Sequence, residues 1–589
     1  MIHKIKNFFL SYLNRRIYLL ILLSFLLFPI FFIAQHMGSK CFYDDYCDNL
    51  FLASYYSFNF FQDFSFPIYF NGETIGSPLY LVYGYTIYPF IGLPSLVLSS
   101  EMSYKFLMII FQIIKLTMIY RILSEYIVSK KIISILSVAI LWSIFNNSVI
   151  FSTGSLPSSF GFELASISII ALIYYLKKDE DFYFYLSIYF IAFSLFTWPP
   201  HIIHIAVVYL PIILYVVFIK RIYKKFISNI FFLMLLFSPY LIELVISAMT
   251  LENYNWELGY YAHMDSITNR LLPIPYDSQS FFDGIKPFTT PHHDVQINTL
   301  TIFLIVFLVP KIKFNKKRIV IFLIYFSLFM IYFILSISPE FAEIFPRIFT
   351  RLHQHHRYIF YLELCLLILV ICSISWVNPK QKINFHKLAN FFLIILILSI
   401  GIKTFHNYQS QNVPPFNGWQ KKSKKFVSLG SVLFSSKADK ESVYWEVPRS
   451  AAQLWAYSNL KPLDPTAKKC DVKRQYLLKP KNNNENYYLN FNNKTNSACY
   501  LNINVFPFSQ HVLLLNGKLI PEENKFRTDD YLGTYVLFAK GESSLQLELY
   551  TPKIPEFFRN LNLIVITSIF IIFIVIFFNK NRKDLLAKI

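Results

Sequence analysis

From residue 16 to residue 405 the chain alternates long apolar runs with short basic clusters. A helix that crosses a bilayer needs about 17 to 25 mostly apolar residues. Runs of that kind predict spans at Arg16–Gln35, Tyr104–Tyr126, Ile132–Ile150, Phe160–Leu176, Phe182–Trp198, Ile203–Ile219, Phe226–Ala248, Ile297–Pro310, Ile319–Ile337, Tyr358–Val377 and Leu388–Phe405, with a last one at Leu561–Phe578. The predicted fold class is therefore an α-helical polytopic membrane protein of about twelve spans. Ile297–Pro310 is short, and its bounds are the loosest. A further apolar run, Leu79–Ser99, holds Gly84, Pro89, Gly92 and Pro94. That much helix-breaking chemistry suits a re-entrant or interfacial segment better than a clean span.

After Phe405 the pattern changes. Lys, Asn and Gln rise, and short alternating segments predict strands at Ser442–Val447, Tyr487–Phe491, Cys499–Val505, His511–Leu515, Tyr535–Ala539 and Leu545–Tyr550. Turn chemistry separates them, including Asn516-Gly517 and Lys540-Gly541. Three parts follow: a transmembrane domain at 1–405, an all-β sandwich domain at 406–560 held by helices at both ends, and a final transmembrane helix with a basic tail at 561–589.

Composition agrees with this class. Of 589 residues, 55% are hydrophobic and 15% charged, against about 25% charged in a soluble protein. The net charge of +20 does not point to nucleic acid, because Lys and Arg form clusters between apolar runs rather than one basic face. With the N-terminus in the cytoplasm and Leu79–Ser99 not counted as a crossing, the clusters Lys130-Lys131, Lys177-Lys178, Lys220–Lys225, Lys311–Arg318, Lys380–Lys387 and Lys580–Lys588 all fall inside, as the positive-inside rule requires. Counting it as a crossing puts the later clusters outside. The run Ile17–Ala34 has a basic flank and no small-residue cleavage site, so it reads as a retained helix rather than a signal peptide. The outer face then receives His36–Ser103, a long loop at Met249–Gln296, Ser338–Arg357 and the β domain. Cys41 and Cys47 lie outside, as do Cys470 and Cys499; each pair is compatible with a disulfide in an oxidising compartment. Cys365 and Cys372 share one span. No Walker loop, dinucleotide-binding glycine pattern, HExxH or long-period repeat is present.

Candidate chemistry concentrates on the outer face. Asp44, Asp45 and Asp48 follow the first span closely, with Asp63 further on. A carboxylate beside a bilayer is a functional candidate, and a base must come within about 3 Å of the proton it takes. Neighbouring acids can also share a metal, while the plain alternative is a solvated loop. Arg347, Arg351 and Arg357 with His356 supply cations suited to a phosphate; contact with lipid head groups is the plain alternative. Trp198-Pro199-Pro200-His201 ends a span, where a Trp is commonly an interfacial anchor and His201 a candidate site residue. The loop Met249–Gln296 carries His263, Asp265 and Arg270. Its triplet His292-His293-Asp294 has ligand chemistry for a divalent metal, the one cofactor considered, and such triplets also arise by chance.

The order of residues in the first outer loop carries a family likeness. Asp48-Asn49-Leu50-Phe51 is followed by Phe66-Pro67-Ile68-Tyr69-Phe70-Asn71-Gly72, then by Gly76-Ser77-Pro78-Leu79-Tyr80 and Tyr88-Pro89. This resembles the first outer loop of the GT-C superfamily of polytopic glycosyltransferases, most of all the bacterial YfhO-like branch. Arg347–Glu363 resembles that branch's Arg-containing segment entering a late helix. The closing β region with its Asn516-Gly517-Lys518 and a last helix is similar to the branch's C-terminus. The resemblance implies a bacterial inner-membrane enzyme with both termini cytoplasmic and a GT-C-like transmembrane domain. It implies a sugar passed from an undecaprenyl-phosphate donor to an envelope glycan or lipid acceptor on the extracytoplasmic face. By spacing, the family's general base maps onto Asp48, with Asp44 and Asp45 kept beside it. Many relatives carry His four residues after the acid, where this chain has Leu52.

Two other classes make different demands. A lipid or polysaccharide flippase or exporter needs ionisable residues deep in several spans. Lys115, Glu163, Glu243 and Glu363 read as scattered and mostly near span ends, which counts against that class. A non-catalytic envelope assembly protein would not need the acidic loop.

Overall fold

The computed structural model describes residues 70–71, 75–77, 88–98, 100–127, 129–145, 156–197, 202–239, 241–242, 299–337, 344, 358–377, 461–470, 479–480, 486–503, 512–527, 534–548 and 556–588. These are mostly helical, with several long apolar helices and a small β region near the C-terminus. The helices are α1 (Tyr88–Ser95), α2 (Ser100–Ser124), α3 (Lys130–Phe145), α4 (Leu156–Lys178), α5 (Asp181–Thr197), α6 (Ile202–Lys220), α7 (Tyr223–Leu236), α8 (Thr299–Leu308), α9 (Lys316–Ile337), α10 (Tyr358–Trp376) and α11 (Glu556–Lys588). The runs expected at Arg16–Gln35 and Leu388–Phe405 lie outside the described residues.

Five of the described helices are long and apolar enough to cross a membrane, at Met102–Ser124, Phe160–Lys178, Ile202–Lys220, Lys316–Leu335 and Asn560–Lys580. Shorter apolar helices lie at Ile132–Leu141, Asp181–Thr197 and Phe360–Trp376, and these counts are of the described residues alone. α8 has ten residues and gives way to a 3-10 turn at Val309–Lys311. α7 ends at Leu236 with a turn at Phe237, where Pro239 explains the break; residues 238–239 and 241–242 are helical again, and the rest of the run expected to Ala248 lies outside the described residues. Proline cannot donate to the carbonyl four residues back, which is that of Leu235, and the Ser238 hydroxyl donates to that carbonyl instead, at 2.7 Å. Of the run Leu79–Ser99, residues 88–98 are described; they hold the eight-residue helix α1, which at 1.5 Å per residue reaches about 12 Å against a hydrocarbon core of about 30 Å.

Polar side chains join apolar helices at close range. The hydroxyls of Ser168 in α4 and Ser187 in α5 each donate to the other's backbone carbonyl at 2.7 Å, and Ser187 also bonds Tyr209 of α6. Small residues let two backbones approach in this way. Pro211 disturbs the ladder of α6, and Tyr325 of α9 donates to the nearby Val208 carbonyl at 2.6 Å. Phe570 of α11 gathers Phe90 of α1 and Phe190 and Phe193 of α5 at 4.4 to 5.3 Å between ring centres. Asn562 then donates to the last carbonyl of α7 at 2.7 Å. The C-terminal helix is thus part of the bundle. Phe231, Ile227, Leu323 and Ile572 stand more than half exposed. Apolar faces of this extent are compatible with a membrane setting.

One end of the bundle is charged. Ion pairs join Lys178 to Glu125 and Lys220 to Asp179 at 2.6 and 2.9 Å, Lys225 to Asp181, and Lys580 to Glu180 at 2.5 Å. The turn Asp179-Glu180-Asp181 therefore holds lysines from the α6–α7 connection and from α11. Lys313 N–H donates to the Trp376 carbonyl, and Trp376 meets Tyr215 of α6, so the start of α9 belongs to the same end. Exposed pairs of this kind contribute about 0–1 kcal/mol each; their value here is positional.

β1 (Phe70–Asn71) and β2 (Ile75–Ser77) pair antiparallel. The C-terminal strands are β3 (Lys479–Pro480), β4 (Asn486–Asn493), β5 (Cys499–Ile503), β6 (Val512–Leu515), β7 (Lys518–Leu519), β8 (Lys525–Arg527), β9 (Thr534–Phe538) and β10 (Gly541–Glu548). They form a five-stranded antiparallel sheet in the order β3-β4-β10-β6-β7 and a three-stranded one in the order β5-β9-β8. Cys499, Leu501 and Ile503 alternate inward on β5, as Thr534, Val536 and Phe538 do on β9. Phe491 of the larger sheet meets Phe538 of the smaller at 5.2 Å, so the two buried faces touch.

Candidate functional site

Three ionisable side chains from distant parts of the chain meet inside the bundle. Lys115 of α2 pairs with Glu163 of α4 at 2.5 Å, and both side chains are fully buried. Glu363 of α10 is 2% exposed and close enough for its charge to act on the Lys115 ammonium. Gln112 lies one turn before Lys115 on the same face of α2 and is also fully buried. Neither polar atom of its amide has a hydrogen-bond partner among the described residues. This corrects the expectation that these ionisable residues are scattered near span ends. Being one or two turns from a helix end is not being at the surface when neighbouring helices extend past that point. Glu243 lies outside the described residues.

A second polar cluster lies on the other side of α10. His204, in the first turn of α6, is 1% exposed. Its ring stacks on Tyr361 at 4.7 Å and meets Tyr332 and Tyr358 edge-on at 5.7 and 5.6 Å. Its Nδ1 lies 3.2 Å from the Tyr332 hydroxyl. An imidazole enclosed by three phenol rings is held in one orientation, and the rings' negative faces suit a cation. The contact also sets the first turn of α6, which follows His201 in sequence, beside the first turn of α10, which follows Arg357.

Both clusters lie away from the charged end. α2, α4 and α6 run toward that end from Ser100, Leu156 and Ile202, and α10 runs toward it from Tyr358. α1 belongs to the same half as the clusters: Ser95 bonds Ser103 at 3.0 Å, near the start of α2.

Most residues singled out from sequence lie outside the described residues: Asp44, Asp45, Asp48, Cys41, Cys47, His201, His263, Asp265, Arg270, His292, His293, Asp294, Arg347, Arg351, His356 and Arg357. Cys470 and Cys499 are joined by a disulfide that closes 29 residues. Nearby, the Thr466 hydroxyl and amide donate to Asp464 and hold its carboxyl below the usual range. Cys365 and Cys372 are buried free thiols. Among the described residues, no group of three or more His, Cys, Asp or Glu is arranged to hold a metal.

The sequence signal for the buried cluster was present: single charged residues inside otherwise apolar helices. Which of them meet depends on helix packing, which a linear pattern does not carry. No family model, curated protein or solved structure matches the chain.

Proposed function

We propose that this protein is a membrane glycosyltransferase of GT-C type. It takes a sugar from a polyprenyl-phosphate donor and passes it to an envelope glycan or lipid acceptor on the extracytoplasmic face. Asp48 is the general base on the acceptor hydroxyl, with Asp44 and Asp45 as its neighbours. The carrying observation is the pair of strands and the short helix that follow the acids in sequence. Phe70–Asn71 pairs antiparallel with Ile75–Ser77, and Tyr88–Ser95 forms a short helix docked in the half of the bundle remote from the basic end. Acid, strand pair and short helix in that order suit a loop built to present a carboxylate at a bilayer surface. Arg347, Arg351 and Arg357 with His356 bind the leaving phosphate, since guanidinium groups match phosphate oxygens in pairs. In this reading about twelve spans cross the membrane, the basic end faces the cytoplasm, and the two-sheet β region is a sandwich that orients the acceptor outside.

The test is transfer by the purified full chain in detergent, with labelled undecaprenyl-phosphate sugars and an envelope acceptor extract. Asp44→Asn, Asp45→Asn and Asp48→Asn are compared with wild type. Loss of transfer in Asp48→Asn, with the elution profile unchanged, is the expected result. Equal transfer in all four would remove the acidic loop from the mechanism.

One observation favours a second reading. The buried Lys115–Glu163–Glu363 cluster is the kind of intramembrane charge that a lipid or polysaccharide flippase or exporter requires. Movement of labelled lipid across liposomes by a chain that transfers no sugar would support it.

A further inference from the structure

The charged end of the bundle is balanced on one side and unbalanced on the other. Around the α4–α5 turn, Lys178, Lys220, Lys225 and Lys580 each stand against an acid. The α8–α9 connection differs. Lys311–Arg318 holds five cations, and no Asp or Glu occurs from Ile297 to Ile337. Among the described residues, no acid pairs with any of the five.

The backbone of this connection is pinned to the end of α10. Lys313 N–H donates to the Trp376 carbonyl at 3.0 Å, and Ile312 bridges Val377. Asn315 caps α9 by accepting from the Arg318 N–H at 2.9 Å, and the Arg318 guanidinium donates to the Lys313 carbonyl at 2.8 Å. The Lys311 ammonium lies over the Phe307 ring at 3.4 Å. Two of the five cations are thus engaged with the chain's own groups. Lys313, Lys316 and Lys317 stand exposed, with Phe314 exposed among them. Aromatic side chains gather at the level of lipid head groups in membrane proteins.

An apolar strip continues from these cations. Phe314 meets Phe322 edge-on at 5.7 Å. Phe322, Phe326, Phe329 and Phe333 then follow at steps of four, three and four residues, which puts them on one face of α9. Their successive ring centres lie 6.3 to 6.5 Å apart. Phe326 is exposed, as are Leu323 and Met330 beside it, so this face turns outward. From Phe322 to Phe333 the helix rises about 16 Å at 1.5 Å per residue. That is about half of a 30 Å hydrocarbon core, the depth of one leaflet.

We infer that the α8–α9 connection and the outward face of α9 form a seat for one anionic phospholipid of the leaflet at the charged end. Its phosphate head lies among Lys313, Lys316 and Lys317, and one acyl chain lies along the phenylalanine ladder. The surplus of positive charge selects an anionic head over a zwitterionic one. The ladder selects a lipid over a soluble polyanion, because a nucleic acid or an acidic peptide has no chain to lay on it. This seat uses none of the outer-loop acids and does not rest on the transfer reaction.

The experiment is native mass spectrometry of the full chain released from detergent, titrated with phosphatidylglycerol or phosphatidylcholine of identical chains. The expected result is one phosphatidylglycerol retained in preference to phosphatidylcholine, by about fivefold for each of the three lysines. The combined variant Lys313→Gln, Lys316→Gln and Lys317→Gln should lose that preference. Each single variant should lose about fivefold, which keeps the test open if the combined variant aggregates. Lys461→Gln with Lys494→Gln and Lys518→Gln removes the same charge from exposed positions of the β region and should keep the preference. Phe326→Ala with Phe329→Ala should weaken retention of both lipids and leave their ratio unchanged. Three results would overturn the inference. One is equal retention of the two lipids by wild type. Another is a preference that survives loss of the three lysines. The third is displacement of the bound phosphatidylglycerol by hexaglutamate, which would assign the surface to a soluble polyanion.

Discussion

Replacing Lys115 with Met leaves Glu163 and Glu363 buried without their cation. Breaking one partner of a buried pair costs about 3–5 kcal/mol, while replacing both partners with apolar groups of similar size is close to neutral. Lys115→Met should therefore lower the unfolding temperature sharply, and Lys115→Met with Glu163→Met should recover part of the loss, since Glu363 still lacks the ammonium. Thermal denaturation of the two variants, followed by size exclusion in detergent, reads both. A double variant no better than the single would mean that the pair contributes packing rather than charge compensation. His204 differs in kind. Its ring stacks against Tyr361 at 4.7 Å and its Nδ1 lies 3.2 Å from the Tyr332 hydroxyl.

At the scale of elements, local rules governed by one or two residues are the ones that hold from the sequence. Asn516 and Gly517 adopt φ of 51° and 75°, the pair of left-handed residues that a two-residue type I′ hairpin needs between β6 and β7. A methyl group added at Gly517 would meet nothing within 4 Å, so Gly517→Ala tests the backbone alone. It should destabilise the β region by about 1–2 kcal/mol, and Gly517→Asn should cost less because Asn tolerates this conformation. Limited proteolysis of the β region in a temperature series would rank the three chains; an Ala variant equal to wild type would contradict the assignment. The same locality explains what was legible. Apolar runs gave the helices, because hydropathy acts residue by residue. Alternation gave β5 and β9, whose inward positions are apolar throughout or closed by Thr534. β3, β7 and β8 are two or three residues long, too short for any alternation to register. The interruption of helix at Phe237 depends on Pro239, one residue whose effect a hydropathy pattern averages away among apolar neighbours. The meeting of Lys115, Glu163 and Glu363 depends on which faces of α2, α4 and α10 turn inward, and those three faces are too uniformly apolar for the sequence to choose among them.

The whole molecule has a polarity that two unrelated observations define. Lysines from the α4–α5, α6–α7 and α8–α9 connections collect at one end with Lys580, and clusters of that kind mark the cytoplasmic side of a membrane protein. The β region carries the Cys470–Cys499 disulfide, a bond that persists in oxidising compartments. α11 links the two: it begins at Glu556, just after the last strand, and carries Lys580 into the charged end. Its 33 residues extend about 50 Å at 1.5 Å per residue, more than a hydrocarbon core of about 30 Å. In the proposed arrangement the β region and the basic end stand on opposite sides of one bilayer. Single cysteines test this in a chain carrying Cys41→Ser and Cys47→Ser. Asn496→Cys lies in the exposed β4–β5 turn and Lys224→Cys in the exposed first turn of α7; the remaining thiols, Cys365 and Cys372, are buried. In vesicles of known orientation, a maleimide that cannot cross the membrane should label Asn496→Cys only from the extracytoplasmic side. Lys224→Cys should be labelled only from the cytoplasmic side. Labelling of both from one side would mean that α11 turns back within the bundle. The acidic loop would then lose its assignment to the outer face, because the parity that puts His36–Ser103 outside is the parity that puts Lys220–Lys225 within.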